Sequence, residues 1–471
     1  MPAEQAVTTA IWWIRRDIRL ADNPALNIAL SRAQQVIPLY VMDDALLARP
    51  APGRQNFLFG ALRSLDERLR ERGSRLIIRR GKPLEALQLA CAESGAGLIS
   101  AEADISPYAR RRDDEIVGHL PLVLCQGISA HPPEAVLKPD GQPYTVYTPF
   151  TRAWKSLPAA GVPIPAPKNL EPIPNLISEL LPEAIPINEF ETDESDALHR
   201  LGVFMKSFVF SYKSHRDRMD LPGTSRLSPY LRFGLISARQ AVHAVRDAIT
   251  NAANPEEKIS AETWLNELIW REFYASILYH YPFVLRQSFR ENLRCIPWRD
   301  STTDLAAWQN GLTGYPVVDA GMRQLRESGW MHNRARMICA SFLCKDLLIN
   351  WQAGEKWFMK CLLDGDPASN NGGWQWTAGT GTDAAPYFRI FNPVLQGKKF
   401  DPDGSYVRRW VPELRTVPDK YIHEPWLMPV DLQSGISVRI GIDYPAPIVE
   451  HAFARERTLA AFKIASGQAP K

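Results

Sequence analysis

The sequence has no CxxC pair and no clustering of cysteine with histidine. Its six cysteines, Cys91, Cys125, Cys295, Cys339, Cys344 and Cys361, stand apart. A tetrahedral zinc site needs four such ligands at short spacings, so no metal is expected. Nor is a disulfide framework, because 471 residues with 45% hydrophobic content can bury a sizeable core without covalent staples. No apolar run approaches membrane-spanning length, and the opening MPAEQAVTTA lacks a basic stretch followed by an apolar one. The expectation is a reduced, cytoplasmic, monomeric enzyme with no membrane partner. The loop after the first apolar run, RRDIRLADNP, contains no glycine, which disfavours dinucleotide binding in the usual place and, with it, an ordinary nicotinamide oxidoreductase. Charge is also sparse: the net value is only +3. Residues 204–471 nevertheless carry 33 Lys and Arg against 27 Asp and Glu, a modest local excess of the kind that meets phosphates.

Tryptophan is abundant instead. Of 14 in the chain, 11 lie at or beyond Trp264. Such enrichment fits a packed core, a stacking platform for bases or a path for electrons, and composition alone does not choose among them.

Along residues 1–131, short apolar runs such as AIWWI (10–14) and VIPLYVMD (36–43) alternate with helical patterns such as Leu58, Leu62, Leu65 and Leu69. Asn23-Pro24 reads as a helix start. This alternation predicts an α/β domain with a doubly wound parallel sheet. Residues 132–186 hold 13 of the 38 prolines, a density that regular helix does not survive, so 132–203 read as a long surface linker. From 204 to 471 the pattern is that of a mostly α-helical domain.

Several segments carry chemistry. Thr224, Ser225, Arg226, Leu227 and Ser228 follow Gly223 and precede an expected helix; hydroxyls and free N–H groups at a helix start suit a diphosphate, although most such clusters only cap helices. Tyr212 and Arg216 precede them at i and i+4. In TWLNELIWREFY, Trp264, Glu267, Arg271 and Tyr274 share a helix face with Trp270 beside it. Such a face suits the wall of a polar pocket, and its plainer reading is an exposed salt-bridged surface. Trp330, Asn333, Arg334 and Met337 repeat the design, while His332 is given no role. The stretch 364–393, DGDPASNNGGWQWTAGTGTDAAPYFRIFNP, reads as too glycine-rich for a helix core and too apolar for a disordered loop; backbone wrapped around a large planar ligand would explain it.

Together, SYKSHRD with GTSRLS, WLNELIWREFY, TGYPVVDAGMRQL, GWMHNRARM and DGDPASNNGGWQW resemble the photolyase/cryptochrome family, and within it the bacterial class I cyclobutane pyrimidine dimer photolyases. IWWIRRDIRLADNPAL resembles the family's opening strand, so the resemblance spans nearly the whole chain.

The resemblance implies that the helical domain binds FAD and DNA containing cyclobutane pyrimidine dimers, and that light-driven electron transfer from reduced, anionic FAD splits the dimer. The FAD positions would be Tyr212, Thr224, Ser225, Arg226, Leu227, Ser228, Trp264, Arg336, Asp364, Gly365 and Asp366, with Arg336 paired to Asp364 and Asn370 facing the central ring nitrogen of the flavin. Glu267 would hydrogen-bond the dimer. Arg216, Trp270, Arg271, Asn333, Arg334, Met337 and Trp376 would complete the DNA contacts, with Trp270 and Trp376 as aromatic walls. Trp374, Trp351 and Trp298 would form an electron-transfer chain to the surface. Asp104-Ile105-Ser106-Pro107-Tyr108 is similar to the segment of deazaflavin-binding members more than to that of folate-binding ones, so a second antenna chromophore, deazaflavin or methenyltetrahydrofolate, belongs to the expectation. The rival readings within the family are a signalling cryptochrome, against which Asn370 stands, and a (6-4) photolyase, for which GWMHNRAR supplies only one histidine.

Overall fold

The structure, a computed structural model, describes residues 7–467 except 50, 188 and 387. The opening MPAEQA, and Tyr387 within the glycine-rich segment, lie outside the described residues.

Five strands, β1 (Val7–Ile14), β2 (Ala33–Met42), β3 (Ile77–Arg80), β4 (Leu98–Glu102) and β5 (Leu122–Cys125), form one sheet in the order β3-β2-β1-β4-β5. Every pairing is parallel, with Ile11 opposite both Ile37 and Ile99. Strands covered on both faces read as unbroken apolar runs, and the last six residues of β1 are buried. Helices Pro24–Arg32, Pro52–Arg70, Pro83–Ser94 and Pro107–Val117 alternate with the strands, each with proline in its first turn, where the missing N–H costs no intrahelical bond. Asn23 caps the first by accepting from the Leu26 amide at 2.9 Å.

The chain order reverses between β1 and β4, the place where α/β sheets open a crevice. Ion pairs cluster at this end of the sheet: Arg15 with Asp113 at 2.7 Å, Arg16 with Asp104 at 3.6 Å, and Arg19 with Glu102. Burial pushes the Glu102 carboxyl up to about 8 despite the neighbouring arginine.

The chain divides into two compact units, residues 1–210 with 225–282, and residues 211–224 with 283–471. The first therefore holds the sheet, the proline-rich stretch and the helices Ala238–Thr250 and Pro255–His280. The proline-rich stretch is not free of helix as expected. Tyr147–Ser156 is a ten-residue helix that buries Phe150 and Trp154. The prolines are unevenly spread: Pro149 falls in the first turn, and none follows until Pro158.

The second unit is helical. Its core gathers Trp308, Phe342, Trp351, Phe358, Trp374 and Trp410 among aliphatic side chains. The expectation of an irregular wrap over 364–393 is corrected in its first half, where Pro367–Ala378 is a twelve-residue helix. Asp366 caps it by accepting from the amides of Ala368 and Ser369, and Gly379 at φ 84° ends it. Two internal glycines cost about 1 kcal/mol each, which strong caps at both ends offset.

Candidate functional site

In the first unit the helix Pro255–His280 carries the expected tryptophan–carboxylate face. Trp264 is 3% exposed and packs against Phe204, with ring centroids 5.3 Å apart. Glu267 and Trp270 are half-buried. One face of Trp270 is stacked on Tyr147 at 3.6 Å with an interplanar angle of 4°. Arg271, expected at DNA, is turned instead toward protein backbone: it donates to the Ile128 carbonyl at 2.9 Å and to the Leu231 carbonyl at 3.5 Å. These bonds tie the guanidinium to the loop at Ile128 and to the helix Ser228–Phe233.

The neighbouring Glu272 went unnoticed in the sequence. Its carboxylate is 4% exposed and accepts from the Ala130 amide at 2.5 Å, the His131 amide at 3.3 Å and Trp154 Nε1 at 2.6 Å. Burial raises its pKa, and these donors oppose the rise. Its only sequence signal was a glutamate on the apolar side of a long helix.

Ser228 opens a short helix, Ser228–Phe233, as expected, and that helix has no side-chain cap. Leu227, at the N-cap position, has no hydroxyl to offer there. Leu227 is 1% exposed and holds the turn inside. Arg226 sits at φ 52°, and its guanidinium pairs with Glu189 and lies 5.4 Å over Phe190.

In the second unit, Tyr212 is buried beneath the Arg216 guanidinium, 5.4 Å above its ring. Arg334 pairs with Asp217 at 2.8 Å and lies 4.3 Å over Phe400. Asp217, the last residue of SYKSHRD, is thus a partner that the motif contained and the spacing did not reveal. Asn333 is exposed, and its amide meets Met337 Sδ at 3.8 Å, so this expected pair does share a face. His332 caps that helix by accepting the Arg334 amide at 3.1 Å. Burial lowers its pKa to about 4, which keeps the imidazole neutral.

Arg336 and Asp364 form the expected pair, bidentate at 3.2 and 2.8 Å, with Arg336 Nε tied to the Met331 carbonyl at 2.8 Å. Gly365 and Asp366 lead from this pair into the Pro367–Ala378 helix. Asn370 on that helix donates from Nδ2 to Glu355 twice, to the backbone carbonyl at 3.0 Å and to Oε1 at 2.9 Å. A carbonyl can only accept, so the amide orientation is fixed and Oδ1 is left as the acceptor. Burial raises the Glu355 carboxyl while the Asn370 bond opposes it. Sequence reading missed Glu355, which stands four residues after Trp351.

Trp374 and Trp351 are each 2% exposed, and Trp298 is half-buried. Trp374 stands edge-on to Trp308 and Phe358, its Nε1 buried without a partner. Trp351 Nε1 reaches Ser288 Oγ at 3.4 Å, and Trp298 meets Phe462 edge-on at 6.1 Å. Exposure thus rises from the core tryptophans to Trp298. Trp376 is half-buried on the Pro367–Ala378 helix.

The residues of the second unit fit a flat ligand with polar edges. Asn370 and Gly373 lie one turn apart, and a Cβ built on Gly373 would meet nothing within 4 Å, so this face opens on space. An acceptor on that face and a fixed cation–carboxylate pair belong to the donor and acceptor set that a dinucleotide with a heteroaromatic ring requires.

Comparison with known proteins agrees. Residues 10–168 match the DNA photolyase family, and residues 264–464 match the FAD binding domain of DNA photolyase. The deoxyribodipyrimidine photo-lyase of Escherichia coli is 40% identical over 98% of this chain and 99% of its own. A bacterial class III photolyase from Agrobacterium tumefaciens superposes with a TM-score of 0.90 at 37% identity, covering 99% of each chain. A Synechocystis cryptochrome superposes at 0.87 and 29% identity, covering 97% of this chain and 100% of that one. The fold is therefore shared by a photolyase and a cryptochrome, and the narrower class I reading rests on the motifs alone. With both domains matched in order and relatives aligned end to end, this chain belongs to the DNA photolyase family and carries its FAD-binding domain.

Proposed function

We propose that the protein is a light-driven carbon–carbon lyase that splits cyclobutane pyrimidine dimers in DNA, acting in the cytoplasm as a monomer. When bound, reduced FAD supplies a one-electron donor that light excites. At the dimer itself the protein's residues place and polarise, while the cofactor carries the ring-splitting chemistry.

Tyr212, Thr224 to Ser228, Trp264, Arg336, Asp364, Gly365 and Asp366 are the positions proposed to hold FAD. The Arg336 cation, beside Asp364, favours a reduced, anionic ring. The observation that carries the reading is the locked amide of Asn370. Its Oδ1 can only accept, which suits a ring nitrogen bearing hydrogen, and it adds no negative charge beside the reduced ring. That residue also favours repair over the cryptochrome reading.

Glu267, Asn333, Arg334, Met337, Trp270 and Trp376 are proposed at the dimer, with Arg216 toward the DNA backbone. Extrusion of the dimer from the stack follows from the family, and a badly paired dinucleotide costs less to extrude than an intact one. Stacking on an indole offsets part of that cost, about 1–3 kcal/mol per base in single-strand binders. Trp298, Trp351 and Trp374 are proposed to relay electrons inward. A second chromophore, deazaflavin or methenyltetrahydrofolate, is proposed for the α/β portion. There Asp104 is already paired with Arg16, and the Tyr108 hydroxyl donates to Asp43.

The test is illumination of the purified, reduced protein with an oligonucleotide containing one thymine dimer. Recovery of pyrimidine absorbance supports repair. An intact flavin spectrum with no recovery would favour the cryptochrome reading.

A further inference from the structure

Lys345 is a lysine with no exposure, placed inside a π-helical turn, Phe342–Asp346. Such turns interrupt a helix at a cost and recur at functional positions. Its Nζ donates to the carbonyl of Ala378 at 2.8 Å and stands 3.7 Å from the centroid of the Phe462 ring. No carboxylate forms a salt bridge with it among the described residues. A buried cation without a counter-charge is costly, so its retention calls for a function.

Its two contacts lead to two of the tryptophans. Ala378 ends the helix that carries Trp374. Phe462 lies edge-on to Trp298, 6.1 Å between centroids, in a small cluster with Leu293, Ile296, Leu348 and Ala461. The ammonium is therefore within about 10 Å of the Trp298 ring.

We propose that Lys345 is a positioning residue of the electron-supply chain, whose buried charge sets how readily positive charge forms at Trp298. This rests on the assignment of Trp298, Trp351 and Trp374 made above. One electron passes inward from Trp298 through Trp351 and Trp374 and reduces the cofactor by one equivalent. Trp298 is left one-electron-oxidised. An external thiol restores it, losing one electron to become a thiyl radical, while its proton goes to solvent. A nearby ammonium opposes the positive charge on Trp298, and a neutral amine does not.

The groups facing Lys345 limit what else can produce a pH response. On its own turn, burial holds the Cys344 thiol up at about 12 and the Asp346 carboxyl up at about 6. On the C-terminal helix His451–Ala465, His451 meets Asp346 at 2.6 Å and Arg457 donates to the Asp346 carbonyl. Arg299, beside Leu347 and Leu348, pairs with Asp304 at 2.9 Å. Burial lowers the Lys345 pKa to about 7, where the lysine changes charge near neutrality.

The experiment measures light-driven flavin reduction with a thiol donor in the full-length protein as pH rises through about 7. Wild type should speed up by about tenfold, the effect of one unit charge at roughly 10 Å and an effective dielectric near 20. Lys345→Met should run at the fast limit at every pH, and Lys345→Arg at the slow limit. His451→Gln should keep the pH step. A step that survives in Lys345→Met, or disappears in His451→Gln, overturns the proposal. If the Met variant does not fold, Lys345→Arg decides, since wild-type rates above neutrality would overturn it equally. Trp298→Phe separates the two levels. Normal reduction in that variant means the chain itself is misassigned; blocked reduction with an unchanged step in Lys345→Met means that Lys345 alone is.

Discussion

The six-membered ring of Trp374 lies directly on Gly354: a Cβ built on that glycine would sit 2.1 Å from Trp374 Cη2 and 2.6 Å from Leu343 Cδ2. The helix Trp351–Cys361 therefore positions a second tryptophan besides the one it begins with. Gly354→Ala should destabilise the protein by roughly 1–3 kcal/mol through overpacking. It should also slow photoreduction of bound flavin, because the indole must move. Denaturant midpoint and photoreduction rate, measured on the same preparation, check both halves; an unchanged rate would show that the ring's exact seat does not matter.

Trp374→Phe asks for less rearrangement and more chemistry. Light-driven reduction of oxidised flavin should be lost, while dimer splitting by chemically reduced enzyme should persist. The comparison needs two assays on one variant, and normal photoreduction would remove Trp374 from the relay.

Glu267→Ala should leave the flavin spectrum and most DNA affinity intact and lower the number of dimers split per absorbed photon severalfold. A carboxyl at the base edge stabilises the extra charge on a pyrimidine that has just received an electron, which favours ring opening over electron return. The alternative is an ion pair within the helix, worth about 0.3–0.5 kcal/mol and without effect on quantum yield. Quantum yields of reduced, substrate-saturated mutant and wild type decide between them.

Glu272→Ala should destabilise severely, because two buried donors lose their acceptor at about 1–3 kcal/mol each and a partly buried amide loses its own. A pH series on Glu272→Gln carries a sign. The folded carboxyl has a raised pKa, so wild-type stability is greatest below the ordinary carboxylate value and falls as pH rises toward the folded value. Glutamine escapes that loss. The stability difference should move in favour of the glutamine variant across this window, and a difference independent of pH would contradict the shift.

Arg216 offers a test of DNA contact that needs no light. Wild-type affinity for damaged duplex should fall linearly with salt on logarithmic axes, and Arg216→Ala should reduce the slope by about 0.9 if one phosphate contact is lost. An unchanged slope would place Arg216 off the backbone.

What could be read from the sequence divides along physical lines. Parallel strands buried on both faces leave unbroken apolar runs, so β1 and β2 were plain, as was the helix start at Asn23-Pro24. The helix Pro367–Ala378 was missed because local glycine content was weighed above the caps that flank it. Helix Tyr147–Ser156 was missed because proline was counted over a long window instead of position by position. At the candidate site, Arg336 with Asp364 was legible from the family motifs. The backbone partners of Arg271 were not legible because helix spacing gives a face and not the direction of a long side chain. Glu272, Glu355 and Lys345 were invisible because each takes its meaning from a partner distant in sequence: the backbone of Ala130, the amide of Asn370, the end of another helix.

The Tyr147–Trp270 stack turns the indole into a bookend. With one face closed by a phenol ring at 3.6 Å, the Trp270 indole has at most its other face to offer a flat guest. The Tyr147 hydroxyl is itself tied to the Asn266 carbonyl at 2.8 Å, so the backing ring cannot swing aside to admit a second guest. A stretch of chain that reads as a spacer thus fixes how thick an aromatic wall is, and which of its faces is closed.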